Sequence, residues 1–176
     1  MDVWVPARFY GQDHKRYFLL VVDDYTRYTT VFPLQSKADV RGVLILWIRT
    51  VCCQLSAWFE KDLQNGIAEL RSGLIMIMEV ACTSMIHAAA PHFLWPFAVR
   101  YSAHQLNLWP RVSVPETSPT MRWTGEVGDA SSFRIMDSLA LVSDPNAGKL
   151  SPRTLRSIFL GIPTDAPPWQ FYHPAT

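Results

Sequence analysis

The sequence predicts an α/β protein: a β-hairpin in a partial sheet, three helices, and a small β-rich C-terminal module. Three observations predict it. The run Tyr17 to Val22 is apolar on both faces and is followed by a β-branched, aromatic partner at Tyr28 to Leu34. Apolar residues recur at three- and four-residue spacing over 38–58 and 67–107. Short strand-like pieces, punctuated by Gly and Pro, fill the tail.

In the first run Tyr17, Leu19 and Val21 share one face, and Phe18, Leu20 and Val22 the other. A strand apolar on both faces belongs in the middle of a sheet covered on both sides. Asp23-Asp24-Tyr25-Thr26-Arg27 supplies turn chemistry. Tyr28 to Leu34 then pairs back, with Pro33 at the end of regular pairing or on an edge. Ser36 and Asp39 form a capping-box start. The helix after them carries Val40, Val43, Leu44, Trp47, Ile48, Val51, Leu55 and Trp58 as one stripe for the sheet.

Glu60 to Gln64 is a polar break. A second helix over Ile67 to Ala88 points Leu70, Leu74, Ile77, Met78, Ala81 and Met85 inward, and Ala88-Ala89-Ala90-Pro91 ends it. A third spans His92 to Asn107, with Leu94, Phe97, Ala98, Tyr101 and Gln105 on one side and Trp109-Pro110 as its stop. Residues 110–130 read as a loop-rich linker. Strands are expected at Phe133 to Met136, Leu139 to Val142, Ser157 to Leu160 and Trp169 to Tyr172. The expected organisation is a core at 1–109, a linker at 110–130 and a β-rich segment at 131–176.

Composition supports a core but not a charge-driven partner. Hydrophobic residues make up 49% of the 176, and the net charge is +1. No half of the chain is strongly basic, so any nucleic-acid surface must be created by folding. Three cysteines, Cys52 and Cys53 adjacent, make no disulfide framework and fit a reducing compartment. Asp2, Arg8 and Asp13 interrupt any N-terminal apolar run, so no signal peptide is expected. Leu74 to Val99 is the most membrane-like stretch, but Glu79, His87, Pro91 and His92 favour buried helices over a span.

Several residues suggest chemistry and have plainer readings. Asp23 and Asp24 read as turn residues rather than metal ligands. Cys82, His87 and His92 are five apart, whereas helical zinc pairs sit three or four apart. Cys52 and Cys53 read as packing. His104 has no Gly-x-Ser-x-Gly elbow to serve, and no Gly-rich phosphate loop occurs. Trp95, Trp109, Trp123 and Trp169 could stack bases but read first as core or anchor residues. Arg100, Arg111, Arg122 and Arg134 recur at wide spacing that carries no pattern of its own.

Three blocks carry a resemblance: Asp2-Val3-Trp4-Val5-Pro6, Phe18 through Tyr28, and Asn65-Gly66-Ile67-Ala68-Glu69. Downstream come Phe93-Leu94-Trp95, Ala98, Asn107, Pro110, Thr117-Ser118-Pro119, Trp123 and Gly125. Lys149-Leu150, Arg153 and Phe159-Leu160-Gly161 follow. In this order the chain resembles the integrase core of Copia-type retrotransposons, part of their Pol polyprotein. Val5 stands where that family usually has Gly, and Leu70 where it has Arg.

The resemblance implies an RNase H-like fold and metal-dependent polynucleotidyl transfer on DNA in the nucleus, with integrase self-association. It implies catalytic, metal-holding roles for Asp2 and Glu69 with Mg²⁺. The family's third acidic residue lies on a strand between them, in a Ser-Asp-x-Gly-Gly-Glu-Phe motif. This chain has about ten residues between Leu55 and Asn65 and no such motif. Asp62 is followed by Leu63-Gln64. The segment around the central acid is missing, through deletion or removal as an intron. Two divalent ions at roughly 3.5–4 Å must be bridged in this chemistry, and Mg²⁺ takes near-octahedral oxygen ligands. Two carboxylates alone then give weak single-ion binding and a degenerate, inactive integrase. Asp2, following only Met1, is expected at a frayed strand end. The alternative function is a non-catalytic remnant that binds nucleic acid or an integrase subunit.

Overall fold

Tyr17–Val22 (β2) is the middle strand of an antiparallel sheet, between Asp2–Trp4 (β1) and Thr29–Leu34 (β3). The computed structural model describes residues 1–4, 9–55, 66–110, 116–131, 133–144, 146–149, 153–162 and 169–174. The two faces of β2 are used as its sequence requires. Leu19 and Val21, with Leu34, pack under Val40, Val43, Leu44 and Trp47 of helix α1 (Asp39–Leu55). Phe18 and Leu20, with Val31, pack under Ile77 and Ala81 of α2 (Gly66–His87) and Ala98, Val99 and Tyr101 of α3 (Trp95–Leu108). Burial of each such large side chain contributes about 1.5–3 kcal/mol.

The β2–β3 turn is built by Asp23, whose carboxylate accepts from the Thr26 amide at 2.7 Å and the Thr26 hydroxyl at 2.6 Å. Pro33 falls within β3 opposite Phe18, and β3 lies at the sheet's edge, where a missing N–H is tolerated. The Asp39 carboxylate accepts from the Ser36 amide at 2.9 Å, the reach-back half of a capping box. Trp58 and the break at 60–64 lie outside the described residues, as do the side chains of Cys52 and Cys53.

Helix α3 departs from its expected single stripe. Trp95, Ala98, Val99, Tyr101, Ser102, Ala103 and Asn107 are all buried, which covers most of its circumference, while Gln105 is only half-buried. The cause is a second sheet behind it: Leu139–Ser143 (β4), Thr154–Gly161 (β5) and Gln170–Tyr172 (β6), antiparallel in that order. Met136 and Phe159 from this side join the same hydrophobic cluster as Phe18 and Ala98.

Two further expectations are corrected. The stretch expected to be only loop contains a fourth helix, α4 (Pro119–Thr124). The Ser118 hydroxyl caps it by accepting from the Met121 amide, and Gly125 ends it at φ 80°. Trp123 stacks on Tyr28 at 5.0 Å and lies parallel to Trp47 at 6.5 Å, so α4 is anchored to the hairpin and α1. Phe133 to Met136 is not a strand. The Tyr101 hydroxyl donates to the Arg134 carbonyl at 2.8 Å and accepts from the Arg134 amide at 3.0 Å. One side chain thus satisfies the backbone groups that a neighbouring strand would take.

Candidate functional site

Asp2 is in a ladder rather than at a frayed end: it pairs opposite Leu20, with Val3 opposite Leu19 and Trp4 opposite Phe18. Directly opposed residues share a face. Asp2 therefore lies on the face of Leu20, which α2 and α3 cover, and its side chain is exposed.

The helices fix which end of that face Glu69 approaches. Helix α3 starts with Trp95 tilted against Phe18, ring centroids 6.3 Å apart. It finishes with Asn107 clamped to Thr29: the side-chain amide donates to the Thr29 carbonyl at 2.7 Å and its oxygen accepts from the Thr29 amide at 2.9 Å. Thr29 pairs with Val22, so α3 runs from the Phe18 end of the hairpin to the Val22 end. A short turn through Ala88 to Pro91 folds α2 back along α3. The N-terminal turn of α2 therefore lies toward the Val22 end. Glu69 is its fourth residue, though its side chain lies outside the described residues. Backbone topology thus brings Asp2 and the Glu69-bearing turn to one face and one end of the sheet.

Asp23 and Asp24 occupy the loop at the same end but are committed elsewhere. Asp23 holds the turn, and Asp24 pairs with Arg27 at 2.7 Å. Among the described residues no three His, Cys, Asp or Glu side chains gather as a cation site. The described residues do not fit a pair of Mg²⁺ ions: Asp2 is exposed, and no further carboxylates gather with it among them. β1 is also the sheet's outermost strand, and its far edge has no partner among the described residues.

The remaining candidates sort by burial. Cys82, His87 and His92 are exposed, and His92 stacks on Phe9 at 4.4 Å. An apolar groove of about 420 Å³ beside them is lined by Phe9, Met78, Cys82, Met85 and Trp95. His104 is half-buried against Tyr101 and Phe133, and burial lowers its pKa. Trp95 is core, whereas Trp109 and Trp169 are exposed. Arg122 lies over the Tyr25 ring at 4.8 Å and Arg134 over Trp169 at 5.7 Å. Arg100 lines a groove with Lys15, Trp47 and Trp123. Val5, Pro6, Asp62, Asn65 and Arg111 lie outside the described residues.

Sequence reasoning missed one buried ionisable residue, Asp137. Its carboxylate is buried with neither oxygen hydrogen-bonded, and burial raises its pKa from 3.8 to about 6. The sequence carried no signal that sets Asp137 apart from the tail's other acids, Asp144 and Asp165.

No protein-family model matches the chain. It is 26% identical to the Retrovirus-related Pol polyprotein from transposon RE1 of Arabidopsis thaliana and 24% identical to that from transposon RE2. Each alignment covers 91% of this chain and 13% of the relative, so the chain spans a small part of the polyproteins it matches. The aligned span is 190 residues, longer than all 176 of this chain, so the relatives carry residues within it that this chain lacks. These similarities support a retrotransposon Pol-derived protein.

Proposed function

We propose that the chain is a degenerate retrotransposon integrase fragment. Its ancestral activity is metal-dependent strand transfer on DNA, and it is inactive because the segment bearing the central Asp is missing. The observation that carries this reading is the convergence of Asp2 and the first turn of α2 on one face and end of the sheet. The relatives carry residues within the aligned span that this chain lacks, which is in keeping with a missing segment. In this reading Asp2 and Glu69 are the surviving ligands of an RNase H-like centre. Without a bridging carboxylate, the charge that develops on a phosphodiester in the transition state loses most of its stabilisation.

The test is direct. Purified chain, given Mg²⁺ or Mn²⁺, donor DNA ends and a target duplex, is expected to join nothing. Robust joining that Asp2→Asn abolishes overturns the proposal. Transcript sequencing across codons 55–70 separates a genomic deletion from an intron.

A second reading, a nucleic-acid-binding remnant without chemistry, draws on Lys149, Arg153, Arg156 and His173, all exposed on or beside the C-terminal sheet. It predicts DNA retention that weakens steeply with salt. No retention at low salt removes it.

A further inference from the structure

We propose that the slot along the outer edge of β3 receives an extended, acidic peptide from a partner protein, which adds to the sheet as a fourth strand. That edge is already paired at one rung by a side chain and is open at the next. The slot's use does not depend on the integrase reading.

Strand pairing decides which backbone groups face outward. The Asp23 amide donates to the Tyr28 carbonyl at 2.9 Å, so Tyr28, Thr30, Phe32 and Leu34 turn their main-chain groups to β2. Thr29, Val31 and Pro33 turn theirs away. Thr29 fixes the phase, since its N–H and C=O both go to the Asn107 side chain, at 2.9 and 2.7 Å. Asn107 thus stands where the peptide group of a neighbouring strand would stand. The next rung, the N–H and C=O of Val31, has no partner among the described residues. The flanks of β3, at 23–28 and 35–38, are all described. Pro33 offers a carbonyl and no N–H, so pairing centres on Val31.

The space beside that rung has the shape a strand needs. A groove of about 800 Å³ runs along Phe32 and Pro33, walled by Leu46 and Trp47 of α1 and by Phe97 and Arg100 of α3. α1 and α3 cover opposite faces of the sheet, so the groove lies between them, in line with the strands. Trp123, stacked on Tyr28, stands at its Thr29 end. Successive side chains of an added strand alternate between the two walls. The α1 wall is apolar, with Leu46 67% exposed. The α3 wall presents Arg100, half-buried and in no ion pair among the described residues. Lys15 lies in the same groove, with Asp13 the one acid among its described lining residues. A guest with apolar side chains toward α1 and a carboxylate toward Arg100 satisfies both walls. Main-chain bonds to Val31 then supply the affinity usual in strand addition.

The test uses the full chain and the end-blocked peptide Thr-Val-Glu-Val-Thr, with amide exchange at Val31 followed by NMR. Saturable slowing at Val31, on the order of tenfold, is expected. The same peptide N-methylated on its three central residues cannot pair and is expected to leave Val31 unchanged. Gln in place of the peptide's Glu, or Arg100→Gln in the chain, is expected to weaken binding about tenfold. Equal slowing by the plain and methylated peptides, or by neither, overturns the proposal. Binding unaltered by both charge changes overturns the acidic occupant. A Val31 amide protected without peptide also overturns it: at every dilution, the chain's own residues fill the slot, and only at high concentration, a second copy does.

Discussion

The carboxylate of Asp137 is buried before β4 with both oxygens unpartnered, on a backbone at φ 61°. That left-handed conformation favours Gly, and a buried unpaired carboxylate carries its desolvation cost unrelieved. Asp137→Gly is expected to stabilise the fold by about 1–3 kcal/mol at neutral pH, measured by urea unfolding. The pH dependence has a definite sign. The folded-state pKa is raised to about 6 from 3.8, so the folded chain binds more protons than the unfolded chain between those values. Stability therefore falls as pH rises from about 4 to about 6 and then levels off. The Gly variant should lose that slope, and an unchanged slope would show that other groups set it. Gly161 shows the converse case. It sits at φ 111°, and an added Cβ would lie 2.9 Å from the Tyr101 ring, so glycine is required there on both counts.

At the scale of elements, hydrophobic period was a sufficient guide wherever a segment packs by one stripe or two plain faces. Val40, Val43, Leu44 and Trp47 announce α1, and the alternation from Tyr17 to Val22 announces a strand covered twice. Period misled for α3, because burial between two sheets removes the polar face that defines a stripe. It also failed at Phe133 to Met136, where an apolar look reflects packing and a tyrosine supplies the hydrogen bonds. Helix α4 was legible by another route: Ser118 as N-cap, Pro119 in the first turn and Gly125 past the end are start and stop signals. The abundance of Pro, Ser, Thr and Gly around them hid it. Ser118→Ala is expected to cost about 1 kcal/mol and to loosen Trp123 from Tyr28. A blue- or red-shifted tryptophan emission alongside the melting temperature checks it, and an unchanged melt would mean that the aromatic stack alone holds α4.

Over the whole molecule, the pairing of Asp2 with Leu20 and the direction of α2 could not be read from spacing, since both depend on how distant segments meet. The motif resemblance named Asp2 and Glu69 as partners; the fold adds that Asp2 and the backbone turn bearing Glu69 lie toward one face and one end of the sheet. The same fold links the tail to the rest. Met136 and Phe159 fill a cluster with Phe18, Ala98 and Tyr101, so the tail contributes to the central core. A chain ending at Ala130 is expected to lose its cooperative thermal transition, followed by circular dichroism. A sharp transition retained by that shorter chain would make residues 1–130 autonomous.

The clamp between Asn107 and Thr29 has a consequence for ageing. A carboxamide there offers one donor and one acceptor to a peptide group that needs both. Deamidation to aspartate replaces the donor with a second oxygen facing the Thr29 carbonyl. Slow chemical wear at this one nitrogen would set like charge against like and begin to pry the hairpin from the helix that braces it.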